Sequence, residues 1–278
     1  MVDELHRRVT IAQRAVRAWA AHPHVTAVLI GGSVARGRAD ALSDIELDVY
    51  WAQPPTDADR RAGVEGAGFA RVYAEEDEHE WADGVMVDGV KIDVSGFLAT
   101  TIDGYLDRVL AGDTDAELQV RATAVLDGIP LHGHDVIEAW RGRLATYPEA
   151  LAVALVEQGL DLRSRERLEM LAERDDVFLL HRDLVDDVQG VLDALFGLNR
   201  VWMPHPFHKW LDWEETLLPH RPERLAERIR ALLVAPPREA VELVSGLVDD
   251  TYRLAAQQVP AADLEPLRAA FELRRVTG

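Results

Sequence analysis

The stretch GGSVARGRADALSDIELDVYW, residues 31–51, decides how this chain is read. A Gly-Gly-Ser corner is followed by a run in which acids alternate with apolar residues: Asp44, Ile45, Glu46, Leu47, Asp48, Val49. Alternate side chains of a strand share a face, so Asp44 and Glu46 project side by side at a strand's start. Two carboxylates that close repel each other unless a cation lies between them. Hard oxygen ligands of this kind suit Mg²⁺ carrying a phosphate. The glycines just upstream let the backbone come close to that phosphate.

Elements on either side fall into place around this run. Residues 4–21 carry Leu5, Val9, Ala12, Val16 and Trp19 at helical spacing, and His22-Pro23 ends the helix. Residues 25–30 form a short, wholly apolar strand of the kind buried on both faces. The acidic strand covers 43–51 and stops at Pro54-Pro55; a short helix starts at 56–62, and a strand covers 69–74. Beyond an acidic loop at 75–80 come VMV, Asp88-Gly89 and VKIDVSG, a hairpin signal with a tight primed turn. In its second arm Val90, Ile92 and Val94 face one way, and Lys91, Asp93 and Ser95 the other. Asp93 lies on a strand that must sit beside the Asp44–Glu46 strand, so a third carboxylate at one site is expected.

From Thr101 onward strand signals stop. Helical patterns run at 102–111, 114–127, 135–145, 149–173, 176–199, 209–217, 221–234, 238–257 and 262–275. The expected architecture is α+β: a small mixed sheet with flanking helices over 1–130, then an all-α helical bundle over 131–278.

Composition narrows the function. The 278 residues are 48% hydrophobic, enough for one large domain or two ordinary ones. No apolar run reaches the ~18 residues of a membrane span, and MVDELHRRVT lacks the layout of a signal peptide. Cysteine is absent, which excludes disulfides and thiol catalysis and suits a cytoplasmic protein. A net charge of −19 repels nucleic acid and attracts a cationic small molecule, although it also serves plain solubility. Only two lysines occur, Lys91 and Lys209.

Gly32-Ser33, then Asp44-x-Glu46, then Asp93 on a later strand: this order resembles the polymerase-β-like nucleotidyltransferase superfamily. The helical half is similar in layout to the bundle of bacterial antibiotic nucleotidyltransferases acting on aminoglycosides and lincosamides. ALFGLNRVWMPHPFHKW resembles a segment of related bacterial nucleotidyltransferase-like proteins. One departure is Glu46, where the family more often has Asp. The resemblance implies an enzyme that moves a nucleoside monophosphate, AMP from ATP or the equivalent from another NTP, to a hydroxyl of a small molecule, with release of pyrophosphate. Two Mg²⁺ ions would be held by Asp44, Glu46 and Asp93, Asp93 lying nearest the attacking hydroxyl and either taking its proton or polarising it. Gly32 and Ser33 would hold the terminal phosphates while Gly31 serves the turn. Arg36 and Arg38 are candidate phosphate partners or solvated loop residues.

Further candidates stay open at this level. Asp183 and Asp187 receive a cationic acceptor, supply a base, or form a solvated helix face. Glu80 is a second candidate base. Lys209 reaches the nucleotide or is a surface lysine. Trp202, Phe207, Trp210 and Trp213 are expected mostly in the core, and His205 and His208 as loop residues without a third zinc ligand. The partners expected are a nucleoside triphosphate and a small-molecule acceptor, with no nucleic acid and no membrane; a homodimer is one option, since some related enzymes build one site from two chains. Two alternatives remain: a nucleotidyltransferase of the antitoxin type that modifies a protein, and a non-catalytic nucleotide-binding protein of the same fold.

Overall fold

Residues 2–274 are described by the computed structural model, so the final residue of the helix expected at 262–275 lies outside them. In chain order the first part holds α1 (Val2–Ala20), β1 (Val25–Ile30), α2 (Gly32–Ala35), β2 (Ile45–Trp51), α3 (Asp57–Gly66), β3 (Ala70–Glu76), β4 (Trp81–Val87), β5 (Val90–Leu98), α4 (Ala99–Leu110), α5 (Ala116–Asp127), β6 (Ile129–His132) and α6 (His134–Leu144). Helices alone follow: α7 (Glu149–Gly159), α8 (Arg165–Glu173), α9 (Val177–Asn199), α10 (Leu211–Leu217), α11 (Leu225–Val234), α12 (Pro237–Gln258) and α13 (Leu264–Phe271). The architecture is α+β, a mixed sheet with flanking helices followed by an all-helical part. Among the described residues no helix is long and apolar enough to cross a membrane.

The chain forms two compact units, residues 1–108 with 121–146, and residues 109–120 with 147–278. In the first, six strands run in the order β3-β4-β5-β2-β1-β6. All neighbours are antiparallel except β2 and β5, which are parallel. The Asp88-Gly89 turn between β4 and β5 has positive φ at both residues, as a primed turn requires. One face of the sheet buries Ile45, Leu47, Val49, Ile92 and Val94 with Ile11, Ala12, Ala15, Val16 and Trp19 of α1. Removing such area from water is worth roughly 25 cal/mol per Å². Gly63 of α3 admits the Trp19 indole, which a side chain there would overlap. The opposite face carries Glu46, Asp48 and Asp93.

The structure corrects several sequence expectations. Strands do not end before Thr101: β6 pairs with β1 at the sheet's edge. It is four residues long and contains Pro130, which an edge strand tolerates and which hides the strand signal. The single helix expected over 149–173 is two, α7 and α8, because Ser164 caps α8 by accepting from the Arg167 amide. Phe207, expected in the core, is 78% exposed.

In the second unit α7 and α9 cross closely. Gly159 and Gly190 face each other there, and a side chain on either would overlap the other's carbonyl. Leu184, Val191, Leu192 and Leu195 of α9 enter a core shared with Leu168 of α8 and Val244, Leu247 and Val248 of α12. His208 lies in the loop between α9 and α10, as expected. It is buried, with Nδ1 3.1 Å from Glu214 Oε2 and Nε2 3.0 Å from Asp193 Oδ1. Burial works against its charge, but these two carboxylates prevail and raise its pKa to about 9.

Candidate functional site

The corner after β1 is built against β2. The Gly31 amide donates to the Glu46 carbonyl at 2.9 Å, which fixes the turn beside the acidic strand. Gly32 has φ +57°, a left-handed conformation that glycine adopts without strain. A Cβ there would overlap the Glu46 carboxylate, so the absence of a side chain is what lets Glu46 lie on the corner. Ser33 is buried next to it.

The loop leading into β2 is held from two sides. Asp40 Oδ1 accepts from the Leu42 amide at 2.9 Å and the Ser43 hydroxyl at 3.0 Å. Arg8, buried on α1, donates from Nε to the Ser43 carbonyl at 2.8 Å. Asp44 follows directly, one residue before β2 begins.

Register then decides which acids meet. In the parallel pair β2–β5, Glu46 is opposite Asp93. In β5–β4, Asp93 is opposite Gly84, and in β4–β3, Gly84 is opposite Tyr73. One row thus runs across the sheet from Tyr73 through Gly84 and Asp93 to Glu46, and on to the corner. Tyr73 reaches along it because Gly84 has no side chain; a Cβ there would overlap the ring. Tyr73 Oη donates to Asp93 Oδ1 at 2.6 Å. Lys91 Nζ lies 2.7 Å from the same oxygen. The hydrogen bond to Asp93, together with the charges of Asp93 and Asp44, holds the Lys91 ammonium above the ordinary lysine value, against desolvation. Burial first, then Asp93, raises the Tyr73 phenol.

A second row lies behind the first. Asp48 is opposite Ser95 and is buried. The Tyr50 hydroxyl donates to its Oδ2 at 3.1 Å, and Arg121 Nη1 of α5 lies 3.7 Å from Oδ1. Burial pushes the Asp48 carboxyl above the usual carboxylate range; Arg121 and Tyr50 oppose that, and Glu80 adds to it. Arg121 Nη2 also lies 3.8 Å from Glu80 Oε2, which ties that candidate base to the same face. The Arg121 guanidinium stacks over Phe97 at 4.6 Å. Asp48, Tyr73, Gly84 and Arg121 were not singled out from sequence. The alternation of acids through Asp48 was visible, but the pairing that brings Tyr73 and Arg121 in was not.

Five further candidates are placed as follows. Arg36 donates from Nε to Asp127 Oδ2 at 2.9 Å. Arg38 is exposed, its amide bonded to the Ser33 carbonyl at 2.8 Å. Asp183, Asp187 and Lys209 belong to the second unit. There Asp183 is buried, accepting from Arg167 Nε at 2.8 Å and lying 3.1 Å from Arg163 Nε. Asp187 is fully buried, and burial outweighs Arg163 to push its carboxyl up to about 7. Neither aspartate forms an exposed helix face. Lys209 is exposed, its ammonium 4.9 Å from the Trp210 ring centroid.

The site's donors are hard carboxylate oxygens, the ligand type that divalent magnesium takes. Among the described residues, no three His, Cys, Asp or Glu side chains are gathered closely enough to hold a metal ion as they stand. Asp93 is instead engaged by a cation of the chain's own, the Lys91 ammonium. A positive charge therefore already has its place on this row.

A family model described as a domain of unknown function, DUF4037, matches residues 120–211. No curated protein matches the chain. Among solved structures, a nucleotidyltransferase-like protein from Exiguobacterium sibiricum 255-15 is similar over 89% of this chain and 78% of its own, at 11% identity and a TM-score of 0.46.

Proposed function

We propose that the protein is a Mg²⁺-dependent nucleotidyltransferase that moves a nucleoside monophosphate, AMP from ATP in the first instance, to a hydroxyl of a small acceptor. The observation that carries this reading is the Glu46 carboxylate resting on Gly32, at the end of the row that includes Asp93. A backbone corner without a side chain, set against two carboxylates on adjacent strands, suits a triphosphate accompanied by divalent metal. The net charge of −19 favours a cationic acceptor such as an aminoglycoside-like compound.

In the transfer, the acceptor hydroxyl oxygen forms a bond to the α-phosphorus. The bond from that phosphorus to the bridging oxygen breaks, and pyrophosphate leaves with the electron pair. The hydroxyl proton passes to the Asp93 carboxylate or to solvent. Asp44, Glu46 and Asp93 would hold Mg²⁺, which when bound neutralises charge on the entering and leaving oxygens. Gly32 and Ser33 would seat the terminal phosphates.

The test is a pyrophosphate-release screen of four NTPs against aminoglycosides, lincosamides and other hydroxylated metabolites. Release by the wild type that is lost in Glu46→Gln and Asp93→Asn supports the reading. Release no greater than in those variants, for every pair, rejects it. One observation favours a second reading: Lys91 pairs with Asp93 without metal, as a non-catalytic nucleotide-binding protein would allow. Calorimetric binding of ATP that is equal in wild type and Asp44→Ala, with no turnover in either, supports that alternative.

A further inference from the structure

The third carboxylate of the candidate site is held by two groups that the proposed chemistry does not use. Tyr73 Oη and Lys91 Nζ both meet Asp93 Oδ1, at 2.6 and 2.7 Å. They also meet each other, the ammonium lying 5.4 Å from the Tyr73 ring centroid, within cation–π range. The simplest account is a surface ion pair along one strand, Lys91 being 44% exposed, and such pairs contribute little to stability. That account leaves Tyr73 unexplained. Its ring comes from β3, crosses the whole of β4 through the notch at Gly84, and ends on β5. A strand residue gives up packing of its own for that notch. The effect is to set an aromatic face behind Lys91 and a hydrogen-bond donor on Asp93, at the end of β5 where Asp44 also acts on the ammonium.

We propose that Lys91, backed by Tyr73, is the resident cation of the acidic row: it holds Asp93 in the metal-free protein and is displaced from it when a divalent ion binds. The inference rests on the reading that this row takes Mg²⁺ with a nucleotide. Carboxylates sharing one sheet face need positive charge nearby. An ammonium hydrogen-bonded to Asp93 Oδ1 and a metal ion on the same oxygen are like charges in contact, so one excludes the other. Lys91 lowers the electrostatic cost of the empty row and, by the same contact, weakens metal binding. Tyr73 is a positioning residue, keeping the Asp93 carboxylate aimed along the row while the cation changes.

The chain's lysine content makes the exchange observable, because Lys91 and Lys209 are its only two lysines. Reductive ¹³C-methylation keeps both charges and gives two side-chain NMR signals, assigned by Lys209→Arg. Titration with Mg²⁺ alone is expected to shift the Lys91 signal toward that of a solvated lysine and leave Lys209 in place. In parallel, Mn²⁺ binding followed by the loss of its free EPR signal is expected to tighten at least fivefold in Lys91→Met and to stay within twofold in Lys91→Arg. Tyr73→Phe is expected to broaden the Lys91 signal before any metal is added. A Lys91 signal that stays put while Mn²⁺ binds, or Lys91→Met binding no tighter than wild type, overturns the proposal and leaves the nucleotidyltransferase reading standing. No Mn²⁺ binding by any form, with or without a non-hydrolysable ATP analogue, defeats both. Should Lys91→Met fail to fold by circular dichroism, Lys91→Gln takes its place with the same expected outcome.

Discussion

The Glu46 carboxylate occupies the space that a side chain on Gly32 would need. This contact joins the two halves of the motif, the corner and the acidic strand.

Gly32→Ala tests that double role. Alanine in the left-handed region costs about 1–2 kcal/mol, and its methyl also pushes Glu46 away. Gly37 is the control, since it too has positive φ, +67°, but nothing lies within 4 Å of an added Cβ. Urea unfolding is expected to show a similar loss of stability for both substitutions. Pyrophosphate release is expected to fall at least tenfold in Gly32→Ala only. Equal activity in the two variants removes the Glu46–Gly32 contact from the site.

Neutralising the acids separates chemistry from folding. Glu46→Gln and Asp93→Asn keep size and hydrogen-bonding capacity and remove charge. Each is expected to lower kcat by about 10²–10⁴-fold, the range of a lost acid–base or electrostatic contributor. Thermal unfolding is expected to move by no more than a few degrees. A variant that retains wild-type kcat rules its residue out of the transfer.

The Tyr73–Gly84 notch is a packing prediction. Gly84→Ala overlaps the Tyr73 ring and is expected to destabilise the first unit by about 1–3 kcal/mol, the cost of overpacking. Combining it with Tyr73→Ala removes the clash, so the double variant should lose less than the sum of the two single losses. Denaturant titration of the four proteins reads the coupling; strict additivity means the two residues do not meet.

His208 gives stability a pH dependence. Its pKa rises from an ordinary 6.5 to about 9 between Asp193 and Glu214, so the folded protein holds a proton that the unfolded chain releases. The stabilisation is complete below pH 6.5 and is lost as pH rises through 9, on the order of 3 kcal/mol in total. Asp187, raised to about 7, acts in the same direction between its ordinary value near 4 and pH 7. Urea unfolding at pH 6.5 and 9.5 is expected to show the decline in wild type and a flatter profile in His208→Gln. An unchanged profile in that variant assigns the dependence elsewhere.

Local pattern carried part of the layout of the candidate site. Alternation placed Glu46 and Asp93 on one face of neighbouring strands, and Asp88-Gly89 marked the turn that brings β5 into position. Those are period-two and turn-chemistry signals, written in residues close along the chain. The signals that failed were long-range or masked. Pro130 concealed the edge strand β6, and Phe207 and His208 exchanged the burial that their types suggest.

Backbone sterics and side-chain periodicity act over a few residues, so the α+β order of elements, the glycine corner and the alternating acids were already legible in the chain. That Tyr73 crosses Gly84 to reach Asp93, that Lys91 sits on the same oxygen, and that Asp48 is buried beside Arg121 emerged with the folded chain. Those contacts depend on strand register and on packing between residues far apart in the chain, and no local propensity encodes either.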